Sequence, residues 1–352
     1  MRVELFDYHL PPGLIAQKPA EPRRSSRLMV IDCDGGAMEH LGFKDLGSYL
    51  EEGDCLVFNS SRVRQARLIG HKEEGGGKVE LLLLKGHEGG IWEALAKPAR
   101  RLRPGTEVVF GQGELRAEIL EKGERGWVSI RLFPREPDEV EALVERLGEV
   151  PLPPYIKERL ADPERYQTVY AAEVGSTAAP TAGLHFELDT LRDMGEKGMR
   201  TAFIRLDVGL DTFRPIQEEE VEDHRLHGEE MILDEEACDM INDAHNEGHS
   251  VIAVGTTVVR ALESAAADGE VIPLKGATDL FIYPGFEFKV VDGLVTNFHL
   301  PRSSLLLLVC AFAGREVVMS AYREAIDNRY RFLSFGDACF FYHRHGWRQH
   351  PA

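Results

Sequence analysis

Apolar and polar positions fall into short, tightly spaced blocks in the first half of the chain and into longer mixed periods in the second. RLMVID (27–32) and DCLVFN (54–59) are nearly continuous apolar runs with polar flanks, the pattern of strands buried on both faces. From about Arg64 to Pro153 the blocks shorten. KVELLLL (78–84), IWEALA (91–96), TEVVF (106–110), ELRAEIL (114–120) and WVSIRLF (127–133) follow one another with Gly, Pro or charged turns between them. Strands at a spacing of about ten residues predict an antiparallel barrel or sandwich. Pro137–Leu147 has helical apolar spacing, with proline at a suitable start.

After the stiff segment Pro151–Ile156 (PLPPYI) the period changes. Helices are predicted over 187–197, 234–247, 257–267 and 315–327, with strands over 201–208, 250–255 and 279–283. The run Leu305–Phe312 is too short to span a bilayer and fits a buried strand or core helix. The fold class predicted is α/β: a mixed-sheet main domain (1–62 and 154–352) with an inserted antiparallel β-barrel domain (63–153). The strands within 27–59 are expected to join the C-terminal sheet, because alone they are too few for a domain.

Composition adds little to this picture until charge is considered. The chain has 352 residues, 43% hydrophobic and 28% charged, ordinary values for a water-soluble protein. Met1-Arg2-Val3-Glu4 leads into mixed residues rather than an apolar signal core. The five cysteines are scattered and form no CxxC, which argues against a disulfide framework and a structural zinc site and makes a reducing cytoplasm the expected setting. A net charge of −18 argues against phosphate-rich partners. Yet basic residues crowd Arg23-Arg24 and Arg27, then Arg62, Arg64 and Arg67, then Lys97, Arg100, Arg101 and Arg103. Solvated surface is the ordinary explanation; a nucleic-acid patch is the sharper one.

Three segments invite a chemical reading. STAAPTAGLHF (176–186) is a run of small residues that ends on His185, so ligand could approach its backbone closely. SVIAVGTTVVRALESA (250–265) is a strand, the turn Gly255-Thr256-Thr257 and a helix whose free N–H groups favour an anion. Thr256 or Thr257 could cap that helix, and Arg260 could pair with a carboxylate. Asn297-Phe298-His299 and His227-Gly228-Glu229 supply two more imidazoles. Each has a plain structural alternative: a capped turn, a satisfied core histidine, a solvated acidic face. His224, His227 and Glu229 do not make a convincing metal set.

Taken together the segments are more specific. VPLPPYI (150–156), YQTVYA (166–171), GSTAAPTAGLHF (175–186), HGE (227–229), AVGTTVVRALES (253–264), FIYPGFEF (281–288), TNFHLPRSSLLLL (296–308) and YRFLSFGDA (330–338) stand in one order behind FDYHLPPGLIAQKP (6–19) and SSRLMV (25–30). The chain thereby resembles the S-adenosylmethionine:tRNA ribosyltransferase-isomerases of queuosine biosynthesis, from about Phe6 to Ala338. It departs from them at Ser60-Ser61 (usually Asp-Thr), Asp211 (usually Gly) and Leu226 (usually Met).

The resemblance implies a ribosyl transfer from S-adenosylmethionine, used as co-substrate, to tRNA carrying 7-aminomethyl-7-deazaguanine at the wobble position. The products are epoxyqueuosine-tRNA, adenine and methionine. It implies no cofactor, no metal and no membrane, and a monomer is expected. Proton transfers at the sulfonium-activated C5′, at the departing adenine and at the acceptor amine call for titratable groups. His185, His299, and His227 with Glu229, are the catalytic candidates. Substrate-binding candidates are Arg62, Ala179, Pro180, Thr181, Ala182, Gly183, Gly255, Thr256, Thr257, Arg260 and Asn297. Arg100, Arg101 and Arg103 are the candidates for tRNA. A methyltransferase using the same donor would release adenosylhomocysteine instead, and a non-enzymatic or impaired tRNA-binding homologue would show no turnover.

Overall fold

A computed structural model describes residues 1–135, 140–209 and 215–343. The chain forms two compact units, residues 1–62 with 153 onward, and residues 63–152.

The first unit is built on a nine-stranded sheet. At its heart Arg200–Leu206, Cys55–Asn59, Val251–Val254 and Gly293–Asn297 lie side by side in parallel. Every side chain of the Cys55, Val251 and Gly293 strands is buried, the state that their unbroken apolar runs require. On one flank Ala338–Tyr342 pairs antiparallel with Gly293–Asn297 and parallel with Arg27–Asp32, which then pairs with Met38–Gly42. On the other flank Glu229–Leu233 and Leu274–Thr278 add antiparallel strands. The N-terminal strands thus complete the C-terminal sheet, as the pattern predicts.

Helices Glu235–Asn246, Thr256–Ala265, Ser304–Ala313 and Arg315–Asp327 bury apolar faces in one large core cluster. Leu188–Glu196 buries Met194 in a smaller cluster with Leu28, Phe43, Phe58 and Phe186. The run 305–312 is helix rather than strand, and Ser303 caps it by accepting from the Leu306 N–H at 3.2 Å. Among the described residues no single helix is long and apolar enough to cross a membrane.

The second unit is a closed six-stranded barrel in the order Trp127–Pro134, Ile91–Lys97, Lys78–His87, Arg67–Lys72, Glu107–Phe110, Leu115–Lys122. Val79, Leu81, Leu83, Leu115, Ala117, Ile119, Val128, Ile130 and Leu132 fill it, each from alternate positions of a strand. Arg67–Lys72 was not predicted. Its only buried side chain is Leu68, so no alternation announces it. Gly70 is what lets it pair there: a Cβ at that position would lie 2.4 Å from Val109 O and 2.6 Å from the Phe110 ring. The helix expected from Pro137 is seen as Val140–Leu147; 137–139 lie outside the described residues.

One predicted strand is replaced by its neighbour. Residues 279–283 form no strand; Leu274–Thr278 does. Ile282 is sunk in the core and the Leu280 carbonyl is drawn to Arg260, so the apolar content of 279–283 serves packing and not a ladder.

Candidate functional site

The four parallel strands end on one edge of the sheet. In open α/β sheets ligands bind outside the carboxyl ends of strands, where connecting segments diverge. Asn59, Leu206, Val254 and Asn297 are the last residues of those strands. Asn59 sets the edge. Its buried amide donates to Leu206 O at 2.8 Å and accepts from the N–H of Leu206 and of Ser61, both at 3.1 Å. That satisfies backbone groups at the point where two strands part. Ser60 also turns back, with its hydroxyl donating to Ile204 O at 3.0 Å.

Beyond Val254 the chain turns at Gly255, whose φ of +102° is open to glycine and costly for other residues. Gly255, not Thr256 or Thr257, occupies the N-cap, and no side chain caps this helix; that expectation is corrected. Thr256 and Thr257 are buried in its first turn. Arg260 is 3% exposed and fully engaged. It forms an ion pair with buried Glu229, and it donates from Nε to Leu280 O at 3.0 Å and from Nη2 to Thr278 O at 3.4 Å. Glu229 also accepts from the Gly209 N–H at 2.8 Å. Helix 256–265 is thereby locked to the strand Glu229–Leu233 and to the exit of Arg200–Leu206. A substrate carboxylate would have to displace Glu229 to reach this guanidinium. Residues 210–214, including Asp211, lie outside the described set.

The segment of small residues crosses this edge, but not as bare backbone facing outward. Ser176, Thr177, Ala178, Ala179, Ala182, Gly183, Leu184 and His185 are all buried, and Thr181 is partly exposed. Ala178 and Ala182 belong to the two apolar clusters of this unit, so small side chains here let the segment lie close against strand ends. The run is therefore part of the core rather than a stretch of open backbone. Gly183 shows the constraint most sharply: a Cβ would meet the Tyr170 hydroxyl at 2.0 Å and Thr168 Cγ2 at 2.9 Å.

His185 ends the short turn Thr181–His185. Its ring stacks on Phe43, with centroids 5.0 Å apart. Both nitrogens are engaged. Asn297 Nδ2, a donor only, lies 3.0 Å from Nε2, so Nε2 accepts and Nδ1 carries the proton. Nδ1–H then donates to Ser26 Oγ at 2.8 Å, and Ser26 Oγ–H donates to Arg23 O at 3.3 Å. On the far side Thr181 Oγ1 donates to Asn297 Oδ1 at 2.9 Å. Burial lowers the His185 pKa to about 4, with Asp337 opposing the shift.

His299 is held similarly, with Nε2 3.3 Å from Thr296 Oγ1, Nδ1 3.4 Å from Tyr322 Oη and its backbone N–H donating to Tyr322 Oη at 3.0 Å. Burial alone lowers its pKa to about 3. Both rings are neutral hydrogen-bonding groups at physiological pH. His227, by contrast, is exposed at the entry to the strand Glu229–Leu233.

A small, narrow pocket opens among these groups, lined by Tyr155, Thr181, Asn297, His299, Ser303, Ser334 and apolar neighbours including Phe298 and Leu333. Tyr155 Oη and Ser334 Oγ are hydrogen-bonded at 2.8 Å. Among the described residues no Asp, Glu, Lys or Arg lines it. Such a cavity suits an uncharged, partly aromatic group with a few polar edges. Tyr155 and Ser334 sit inside PLPPYI and YRFLSFGDA, where neither spacing nor residue type marks their side chains as site residues.

The arginine clusters separate by partner. Arg23 is a clasp, donating to the carbonyls of Leu184, Glu164 and Gln167. Arg27 pairs with buried Asp337 and lies over the Tyr330 ring. Arg62 pairs with Glu164 at 2.5 Å, Arg64 with Glu141, and Arg67 with Glu80 and Glu149. Arg100, Arg101 and Arg103 are exposed around buried Leu102, which pins their turn to the barrel core. Among the described residues no ion pair is formed by these three. Of the net charge of −18, the barrel unit carries only −1, from 15 Lys and Arg against 16 Asp and Glu. Among the described residues no cluster of three or more His, Cys, Asp or Glu is placed to hold a metal ion.

The fold and site define a mixed-sheet α/β protein with an inserted barrel and a neutral pocket at the carboxyl edge of its parallel strands. The chain belongs to the family described as queuosine biosynthesis protein, whose model matches residues 3–341. It is 54% identical to the S-adenosylmethionine:tRNA ribosyltransferase-isomerase of Moorella thermoacetica over 96% of this chain and 99% of that one. It is 51% identical to the protein of the same name from Acetivibrio thermocellus, over 97% and 99%. The crystal structure of S-adenosylmethionine tRNA ribosyltransferase from Thermotoga maritima is 39% identical over 96% of this chain and 99% of that one, with a TM-score of 0.56.

Two outcomes are expected from this geometry. Gly183→Ala should destabilise the protein by about 1–3 kcal/mol through overpacking against Tyr170. Adding Tyr170→Phe should restore most of the loss, because that hydroxyl makes no hydrogen bond; thermal melts of the two single variants and the double variant check this. The second outcome concerns pH. His185 and His299 have folded pKa values near 4 and 3, below the ordinary 6.5. The unfolded chain therefore binds protons first, and their contribution is complete above about pH 7 and lost as pH falls from about 6.5 towards 4. His299→Phe should flatten the decline of melting temperature over that window relative to the parent chain.

Proposed function

We propose that the protein is an S-adenosylmethionine:tRNA ribosyltransferase-isomerase, acting on tRNA that carries 7-aminomethyl-7-deazaguanine at the wobble position. Near-full-length identity above 50% to proteins of that name supports the reading. The observation that carries it in this chain is the uncharged pocket at the carboxyl edge. Its hydroxyl, amide and imidazole lining suits the polar edges of the adenosyl portion of the donor, while the charges of the methionine portion need not enter. No metal or cofactor is required by this chemistry, and the proposed setting is the cytoplasm. Large exposed hydrophobic side chains are scattered along the chain (Met1, Leu5, Val174, Leu188, Phe203, Ile272), which favours a monomer.

The residues divide by task. His185 and His299, buried and neutral, orient hydrogen-bonding groups around the pocket. His227, exposed at the same edge beside the Glu229–Arg260 pair, is the imidazole able to exchange protons with substrate and solvent. A base removes the C5′ proton acidified by the sulfonium. The C1′–N9 bond breaks and adenine leaves with a proton; the acceptor amine, having lost a proton, bonds to C1′. The C1′–O4′ bond then opens with loss of a further amine proton, the C5′ electron pair bonds to C1′, and the freed O4′ closes the epoxide by bonding to C5′ as the C5′–S bond breaks and methionine leaves as a neutral thioether. Arg260 supports Glu229 and the exit at Gly209 rather than holding the methionine carboxylate. The exposed arginines at 100, 101 and 103 meet tRNA phosphates.

The reaction assay is direct. Incubation with S-adenosylmethionine and the modified tRNA should release adenine and methionine in equal amounts. Adenosylhomocysteine as the product would mark a methyltransferase, and absence of any turnover a binding protein. For the tRNA surface, replacing Arg100 and Arg101 together with Ala should weaken tRNA binding and reduce the slope of log K against log salt by about one to two. An unchanged slope would place the phosphates elsewhere.

A further inference from the structure

Asn297 occupies an unusual position. It ends a fully buried strand, is 2% exposed, and still lines the cavity. A primary amide has four hydrogen-bonding sites: two N–H donors and two lone pairs on oxygen. The protein takes one of each. Nδ2 donates to His185 Nε2 at 3.0 Å and Oδ1 accepts from Thr181 Oγ1 at 2.9 Å. One donor and one acceptor remain without a partner among the described residues, on a side chain that lines the cavity.

The two protein bonds also fix which way round the amide lies. His185 Nε2 accepts because Nδ1–H is committed to Ser26, and Ser26 is committed to Arg23 O. Reversing the amide would set its oxygen against that Nε2 lone pair. The ring cannot readily rotate to relieve this, since it is stacked on Phe43. An amide with a free donor and a free acceptor, locked in orientation, is the complement of an adenine edge, where N6–H donates beside an accepting ring nitrogen. Held in the same pose, hypoxanthine sets an accepting O6 against the amide oxygen in place of the N6 donor, and an amide that cannot turn leaves buried polar groups unpaired.

We infer that Asn297 selects the base of the nucleoside co-substrate, and that His185 and Thr181 are positioning residues that hold its amide in the one orientation that accepts adenine and rejects hypoxanthine. The inference rests on the proposed use of an adenosyl donor, but its test does not depend on turnover.

Adenosine and inosine are titrated into the full-length protein by calorimetry, in the absence of tRNA. The parent chain should bind adenosine roughly tenfold to a hundredfold more tightly than inosine, the scale of a bidentate amide–adenine pair. Asn297→Ala should reduce the preference to about threefold or less. His185→Phe, which keeps the ring on Phe43 but removes the acceptor, should do the same while adenosine still binds. Thr181→Val, which removes only the hydroxyl, serves where a larger change prevents folding, and should relax the preference as well. Equal binding of the two nucleosides by the parent chain overturns the inference, as does an undiminished preference in Asn297→Ala. An undiminished preference in both His185→Phe and Thr181→Val overturns the positioning role. The transferase assay separates the two claims. Turnover without a base preference removes this inference alone. A base preference without turnover leaves it standing and removes the proposed activity.

Discussion

The site exists because four parallel strands are made to stop together. Cys55–Asn59, Arg200–Leu206, Val251–Val254 and Gly293–Asn297 come from distant parts of the chain, and each must release its last backbone groups without leaving them unpaired. Asn59 does this between two strands with one side chain. Gly255 does it by a backbone angle that other residues adopt at a cost. Once the strands end in register, residues 181, 185, 209, 255 and 297 are brought to one edge.

The edge is then divided electrostatically. Charge is settled outside the cavity: Arg260 against Glu229, and Asp337 against Arg27 and Arg331. Inside, hydroxyls, the Asn297 amide and the His299 imidazole, which burial keeps neutral, form the polar lining. A neutral lining costs less to desolvate than a charged one, and each polar group in it can be satisfied by a neighbour while keeping a valence for ligand. It also explains why an acidic protein can serve an anionic polymer. The acidic excess lies in the sheet-containing unit, while the barrel unit is near neutral and displays Arg100, Arg101 and Arg103, which form no ion pair among the described residues.

Much of the fold was legible in the sequence because burial on both faces leaves long apolar runs. RLMVID is a strand from its first residue to its last, and the helix over 315–327 has the predicted bounds. Strands with mixed faces were not legible. MEHLG (38–42) and RLIGHK (67–72) bury too little to alternate, and Glu229–Leu233, a strand whose first residue is buried against Arg260, was hidden at the end of an acidic stretch. In the site, the choice of His185, Thr181 and Asn297 was open to inspection of TAGLH and TNFHLP, but their mutual hydrogen bonds join positions more than a hundred residues apart. Spacing cannot reveal whether an imidazole carries a proton or only directs an amide; the partners on its two nitrogens decide that.

The central claim is that the nucleoside of the donor sits at the carboxyl edge, in the pocket between Thr181, Asn297 and His299. The most direct measurement is a crystal structure of this protein with S-adenosylmethionine bound. The account predicts adenine density with N6 and a ring nitrogen within hydrogen-bonding distance of the Asn297 amide, and with the Glu229–Arg260 pair intact. Density for the base elsewhere, or a methionine carboxylate seated on Arg260 in place of Glu229, would contradict it.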